Sequence, residues 1–247
     1  MTQSCVLIAS FAFAVVSAQV PAKTLALGEQ LAKDLERRDG RTDNPPLLRY
    51  TQQIADRLAA AAGGNAFEVR FTDSWEQYAN LLPHNVLYIS SGFFTRLQSE
   101  AELAGLLAHQ LAHMPKTAPL TQTDAKIPLI VPSCVLAAPS WPMMRADERR
   151  ESEMVATQRA AEMLKASGYD PSAVLDLLSK LAYEHPVWSR AILPEDLLKL
   201  RTILESDAPP KDGFAIDSSE FVRQHANVVA AIRQAAGHST TPTLHRR

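Results

Sequence analysis

Apolar and polar residues recur at two different periods along the first half of this chain. Lys23 to Arg38 mixes Leu, Ala, Glu and Lys, a composition that favours helix. Asp39-Gly40 ends it, and Asp43-Asn44-Pro45-Pro46 reads as a loop. Leu47 to Ala62 predicts a second, amphipathic helix, with Leu48, Ile54, Leu58 and Ala61 near helical spacing and Gly63-Gly64 closing it. The period then changes. Phe67, Val69 and Phe71 alternate with Glu68, Arg70 and Thr72, the signature of a half-buried strand. A second strand is expected from Asn85 to Ser90, with Gly92 breaking the pattern.

The most legible helix runs from Ser99 to Met114. Ser99 and Glu102 form an S-x-x-E capping box ahead of an apolar run. Leu103, Leu106, Leu107, Leu111 and Met114 surround the axis, which places the helix in the core. Pro115 stops it, because its ring blocks continuation. The segment from Ile127 to Met144 carries no charge, but Pro132, Pro139 and Pro142 interrupt it. That excludes a membrane-spanning helix, which needs about 20 uninterrupted residues. A loop packed on the core is the reading; an apolar loop over a cleft or a membrane-facing patch is the alternative. Helices follow from Arg145 to Ser167, with Gly168 at the C′ position, after Asp170-Pro171, from Pro194 to Ser206 and from Ser219 to Ala235. The whole reads as a mostly helical α+β fold with a small sheet and a central HxxxH helix. It is expected to form a single domain over 19–236, with a polar, flexible tail over 237–247.

Composition narrows the function classes. The 247 residues are 46% hydrophobic and 21% charged, with a net charge of -2. Nothing there makes a basic surface for nucleic acid, and no internal repeat is present. Cys5 to Val16 is apolar and uncharged, with Val16-Ser17-Ala18 as a small-residue cleavage site. This predicts a signal peptide over 1–18 and export to the periplasm or the exterior, although the first residues lack Lys and Arg. The alternatives are an uncleaved N-terminal anchor or a mis-called start. With residues 1–18 removed, Cys134 stands alone and no intramolecular disulfide forms.

The candidate chemistry lies in LLAHQLAHMP, Leu106 to Pro115. On a helix, His109 and His113 project from one face, the arrangement two imidazoles need to share one metal ion. Seven histidines make a chance pair at this spacing common, and a hydrogen-bonded core pair is the competing reading. Context favours the metal. The segments YANLLPHNVLYI from Tyr78, SEAELAGLLAHQLAH from Ser99 and VATQRAAEMLKASGYDP from Val155 resemble, in order and spacing, three motifs of the HtpX-like and BepA-like zinc metallopeptidases, relatives of the CAAX prenyl proteases. The likeness covers roughly Lys23 to Ala182.

This resemblance implies a zincin-like metallopeptidase fold and a gluzincin plan. Two histidines of one helix and a glutamate of the next hold zinc, water takes the fourth position, and the glutamate of HExxH is the general base. His109 and His113 match the zinc-binding histidines, and Gln110 stands at the general-base position. Counting back from Gly168 puts Val155 at the third ligand and Thr157 at a family aspartate. A glutamine amide accepts no proton at any working pH, and valine has no donor atom. Two imidazoles alone leave zinc one protein ligand short, so zinc binding is expected to be weak or absent. Glu151, one turn before Val155, is a substitute ligand only if the helix shifts its register; otherwise it is a solvated charge.

The family's edge strand pairs with the backbone of an extended substrate. Leu82, Pro83, His84 and Asn85 take that place here, with His84-Asn85 replacing a glycine pair and Tyr78 replacing an asparagine. His84 faces either the cleft or solvent. Late in the chain, EHPVWSR is similar to the family's His-Pro segment, but Arg190 is one residue short of its spacing and no role is carried over. The expectation is an exported, catalytically impaired pseudo-peptidase. It would bind polypeptide or an envelope protein partner, near a membrane surface if the apolar segment faces one. An active zinc endopeptidase with a substituted third ligand is the alternative, and an α-rich domain whose histidines bind nothing is the third reading.

Overall fold

The computed structural model describes residues 22–63, 67–82, 85–113, 136–137, 146–184, 192–206 and 213–239. Helix α1 (Ala22–Asp39) ends where Gly40 adopts φ +75°, a left-handed turn that glycine makes without a Cβ clash. Helix α2 (Pro45–Ala61) is capped by Asn44, whose side chain accepts a hydrogen bond from the Leu47 N–H at 3.1 Å. Its buried face is Leu47, Tyr50, Ile54, Ala55 and Leu58. Leu48 is half-buried and Ala61 exposed, so the apolar stripe is rotated slightly from the one the sequence suggests.

Among the described residues, four strands form one sheet: β1 (Glu68–Thr72), β2 (Ala79–Leu82), β3 (Val86–Ser90) and β4 (Leu136–Ala137), in the order β1-β3-β2-β4. β1 runs parallel to β3, β2 and β3 are antiparallel, and β4 runs parallel to β2. Asn85 closes the β2–β3 turn at φ +60°, a conformation asparagine tolerates better than most residues. Every residue of β2 and β3 is buried, because both faces of the sheet are covered. Ala79, Leu81, Leu87 and Ile89 join the main core. Tyr78, Leu82, Val86 and Tyr88 point the other way, onto Ala32 and Leu35 of α1. Tyr88 Oη donates to Glu36 at 2.6 Å and fastens that helix to the sheet.

Among the described residues, six helices follow β3 or β4: α3 (Ser91–Phe94), α4 (Glu100–Ala112), α5 (Ala146–Ala166), α6 (Ala173–Glu184), α7 (Pro194–Ser206) and α8 (Ser219–Ser239). The capping box is present in altered form. Ser99 Oγ accepts from the Glu102 N–H at 3.1 Å, but Glu102 Oε2 reaches the Gln98 N–H at 2.8 Å and Lys180 Nζ at 2.7 Å. All of α4 from Glu100 to Leu111 is buried. Gly105 lets α4 lie on the start of α6, since a Cβ there would stand 3.1 Å from Val174 N and Cα. Gly168, at φ +80°, closes α5 as expected. α8 continues through Gly237 to Ser239, past the helix end at Ala235 that the sequence suggests.

At the start of α4, Glu100 accepts hydrogen bonds from Tyr50 Oη and Tyr169 Oη, each at 2.8 Å, and from the Ser218 hydroxyl. This network ties α2, α4 and the residue preceding α8 together. Burial raises Tyr50 and Tyr169 above the usual phenol range, and Glu100 reinforces the shift; both stay protonated donors. Among the described residues, no helix is long and apolar enough to cross a membrane. The predicted signal segment, Pro83, His84, Pro115, Cys134 and Arg190 lie outside the described residues, as does most of the charge-free run 127–144.

Candidate metal centre

The two histidines meet as their spacing requires. His109 lies in the last turn of α4 and His113 is its C-cap residue, so one turn separates them. Their rings are 4.7 Å apart at 82°. The third member is Glu153 of α5. Its Oε2 lies 3.2 Å from His109 Nε2 and its Oε1 lies 3.0 Å from His113 Nε2. All three side chains are buried, Glu153 completely. Donor atoms from the three lie within 4.8 Å of one another. Tetrahedral zinc bonds of about 2.0–2.1 Å would separate neighbouring ligand atoms by about 3.3 Å. The residues present therefore fit a metal ion of that size with small adjustment.

Glu153, and not Val155, is the α5 residue that faces the two histidines. Val155 is 42% exposed, on the far side of α5. The buried face is set by Glu153, Ala156, Thr157, Ala160, Ala161 and Leu164. Two residues along a helix turn a side chain by about 200°, so an offset of two exchanges a buried residue for a surface one. Glu151 is exposed as well, which removes its case as a substitute ligand. Helical phase would have found Glu153: it lies three and seven residues before Ala156 and Ala160, on the face that the small apolar residues mark. Thr157 is buried and donates to the Glu153 carbonyl oxygen at 2.7 Å. Its hydroxyl thus braces the backbone at Glu153.

The electrostatics suit a cation. Burial would push the Glu153 carboxyl up, but the charges and hydrogen bonds of His113 and His109 outweigh it and hold the carboxyl well below its usual range. Burial pushes His109 down, against the pull of Glu153, and favours the neutral imidazole that a metal binds. Gln110, the next residue along α4, is 1% exposed, and its Oε1 has no hydrogen-bond partner among the described residues. A buried acceptor in that state is suited to take a hydrogen bond from a bound water.

Of the expected substrate residues, Leu82 and Asn85 are among the described ones. Leu82 is buried against α1, and Asn85 is an exposed turn residue. The outer edge of β2, expected to be open, carries β4 at Ala79 and Asn80. The start of α5 is held by Arg150, which pairs with Asp196 at 2.5 and 2.7 Å. Two further clefts of about 500 Å³ lie elsewhere, one between α6 and α7, the other between the loop after α3, α6 and α8. No family model matches the chain, and no curated protein matches it.

Proposed function

We propose that this chain is an exported, zinc-binding scaffold of the HtpX-like and BepA-like peptidase kind that holds extended polypeptide, or an envelope protein partner, and cleaves it poorly. The observation that carries the reading is the buried His109–His113–Glu153 cluster with a glutamine, Gln110, beside His109. Two imidazoles and a carboxylate leave one tetrahedral position for water, which is the ligand count of catalytic zinc sites. Bound zinc would supply a Lewis acid and an acidified water. Gln110 would orient that water through Oε1, and it offers no site for the proton that attack releases. Export rests on the N-terminal apolar segment, and polypeptide binding on the family likeness of the Tyr78 segment.

Glu153 also favours a second reading, slow but real endopeptidase activity, because the ligand set is not short of a member. Casein cleavage separates the two. The unaltered chain is expected near background, and Gln110→Glu is expected to raise the rate by about 100- to 10,000-fold. Adding Glu153→Gln, or a chelator, should abolish the gain. Equal cleavage by the unaltered chain and Gln110→Glu would establish the second reading. A zinc-loaded Gln110→Glu chain that cleaves nothing would reject the peptidase scaffold itself.

A further inference from the structure

β1 is the strand that ends the sheet opposite β4, and a side chain covers part of its outer backbone. The Glu68 N–H donates to Asn85 O at 3.0 Å, so the backbone groups of Glu68 turn toward β3. Those of Phe67, Val69 and Phe71 therefore turn outward. At the Phe71 end they meet the backbone of the segment before α2. The Thr42 N–H donates to Phe71 O at 3.0 Å, and the Asp73 N–H donates to Gly40 O at 3.4 Å. At the other end they meet Gln52 of α2. Its Oε1 accepts from the Val69 N–H and its Nε2 donates to Phe67 O, each at 2.9 Å. A neighbouring strand would satisfy the same two groups in the same way. A third bond, from Nε2 to Asp56 Oδ1 at 2.8 Å, holds the amide in that orientation.

We propose that the outer edge of β1 is a self-pairing surface held closed by the Gln52 amide, and that a second copy of this chain pairs with it antiparallel once the amide is gone. Charge identifies the partner. Glu68 and Arg70 flank Val69 on one face of the strand, with Glu68 Oε1 2.7 Å from Arg70 Nε. A two-fold axis at Val69 sets the Val69 residues of the two copies opposite each other. It also sets Glu68 of each copy opposite Arg70 of the other, which joins opposite charges across the strands. A surface that complements itself in this way is what a two-fold dimer requires. The Glu68 side chain is 53% exposed, so this face of the edge is within reach of a copy. Gln52 keeps the edge closed by using the Val69 N–H that the pairing needs. The inference depends on neither the metal cluster nor the polypeptide-binding reading.

The test is sedimentation velocity of the full chain over a concentration series, with urea unfolding of the same samples. Gln52→Ala should self-associate about 100-fold more tightly than the unaltered chain, because neither copy has two hydrogen bonds to break first. Gln52→Lys loses the same amide but sets a charge on the edge, which opposes strand pairing; it should lose similar stability and stay monomeric. Adding Glu68→Lys to Gln52→Ala sets like charges opposite each other and should weaken the dimer about tenfold. A monomeric Gln52→Ala chain would overturn the proposal. So would equal association of Gln52→Ala and Gln52→Lys, which would trace it to lost stability, or a dimer indifferent to Glu68→Lys, which would place the contact elsewhere. Loss of the fold in both Gln52 variants would overturn it too, since the amide would then hold β1 to α2 rather than cover it.

Discussion

Glu100 and Glu153 are both buried carboxylates against α4, one at each end of the helix, and they do opposite work. Glu100 is surrounded by hydroxyl donors: Tyr50, Tyr169 and Ser218 all give it a proton to accept. Such a group is satisfied by neutral partners and acts as a fastener. Glu153 instead faces the Nε2 atoms of His109 and His113, groups whose neutral form offers a lone pair to a cation. Burial alone does not separate a structural acid from a site acid; the chemistry of its neighbours does.

The contrast can be broken most sharply with metal. Glu153→Gln should lower zinc affinity more than about 100-fold, beyond the usual cost of losing only a residue that orients a ligand. Glu100→Gln should leave it unchanged, and competition with a chromogenic chelator reads both. The reverse holds for stability of the metal-free chain. Glu100→Ala strips the acceptor from Tyr50 and Tyr169 and is expected to cost about 3 kcal/mol in urea unfolding.

Gly105→Ala should cost about 1–3 kcal/mol, by forcing α4 off the Val174 backbone, with zinc affinity falling alongside because His109 moves. The smallest effect is expected at Asp196. Its hydrogen bonds from Arg150 hold it below its ordinary value of 3.8. Its contribution is therefore present above that value and lost as pH falls through the lower folded one. Asp196→Asn should destabilise the chain slightly at neutral pH, with the difference from the unaltered chain vanishing in strong acid.

Much of this was legible from side-chain period and punctuation. The Ser99 cap, the glycine at 168 and the alternation from Phe67 to Thr72 correspond to a helix start, a helix end and a strand. The His109–His113 pair is legible because both histidines share one helix. Glu153 is harder, since a residue on a different helix is placed by the rotation of that helix. Counting a fixed offset from Gly168 ignores which face is buried. β4 is illegible for a different reason. Two residues inside a proline-punctuated apolar run have no period, and only the partner strand makes them a strand.

Gln110 sits on a helix held in place by its neighbours, and its side chain has the size and shape of glutamate. The codons of the two amino acids differ only in their first base. A single nucleotide substitution would therefore set a carboxylate beside an intact His109–His113–Glu153 cluster, with no repacking of α4. If cleavage were useful to the organism, that change would be among the easiest to acquire. The residue at 110 therefore lies one mutational step from a carboxylate.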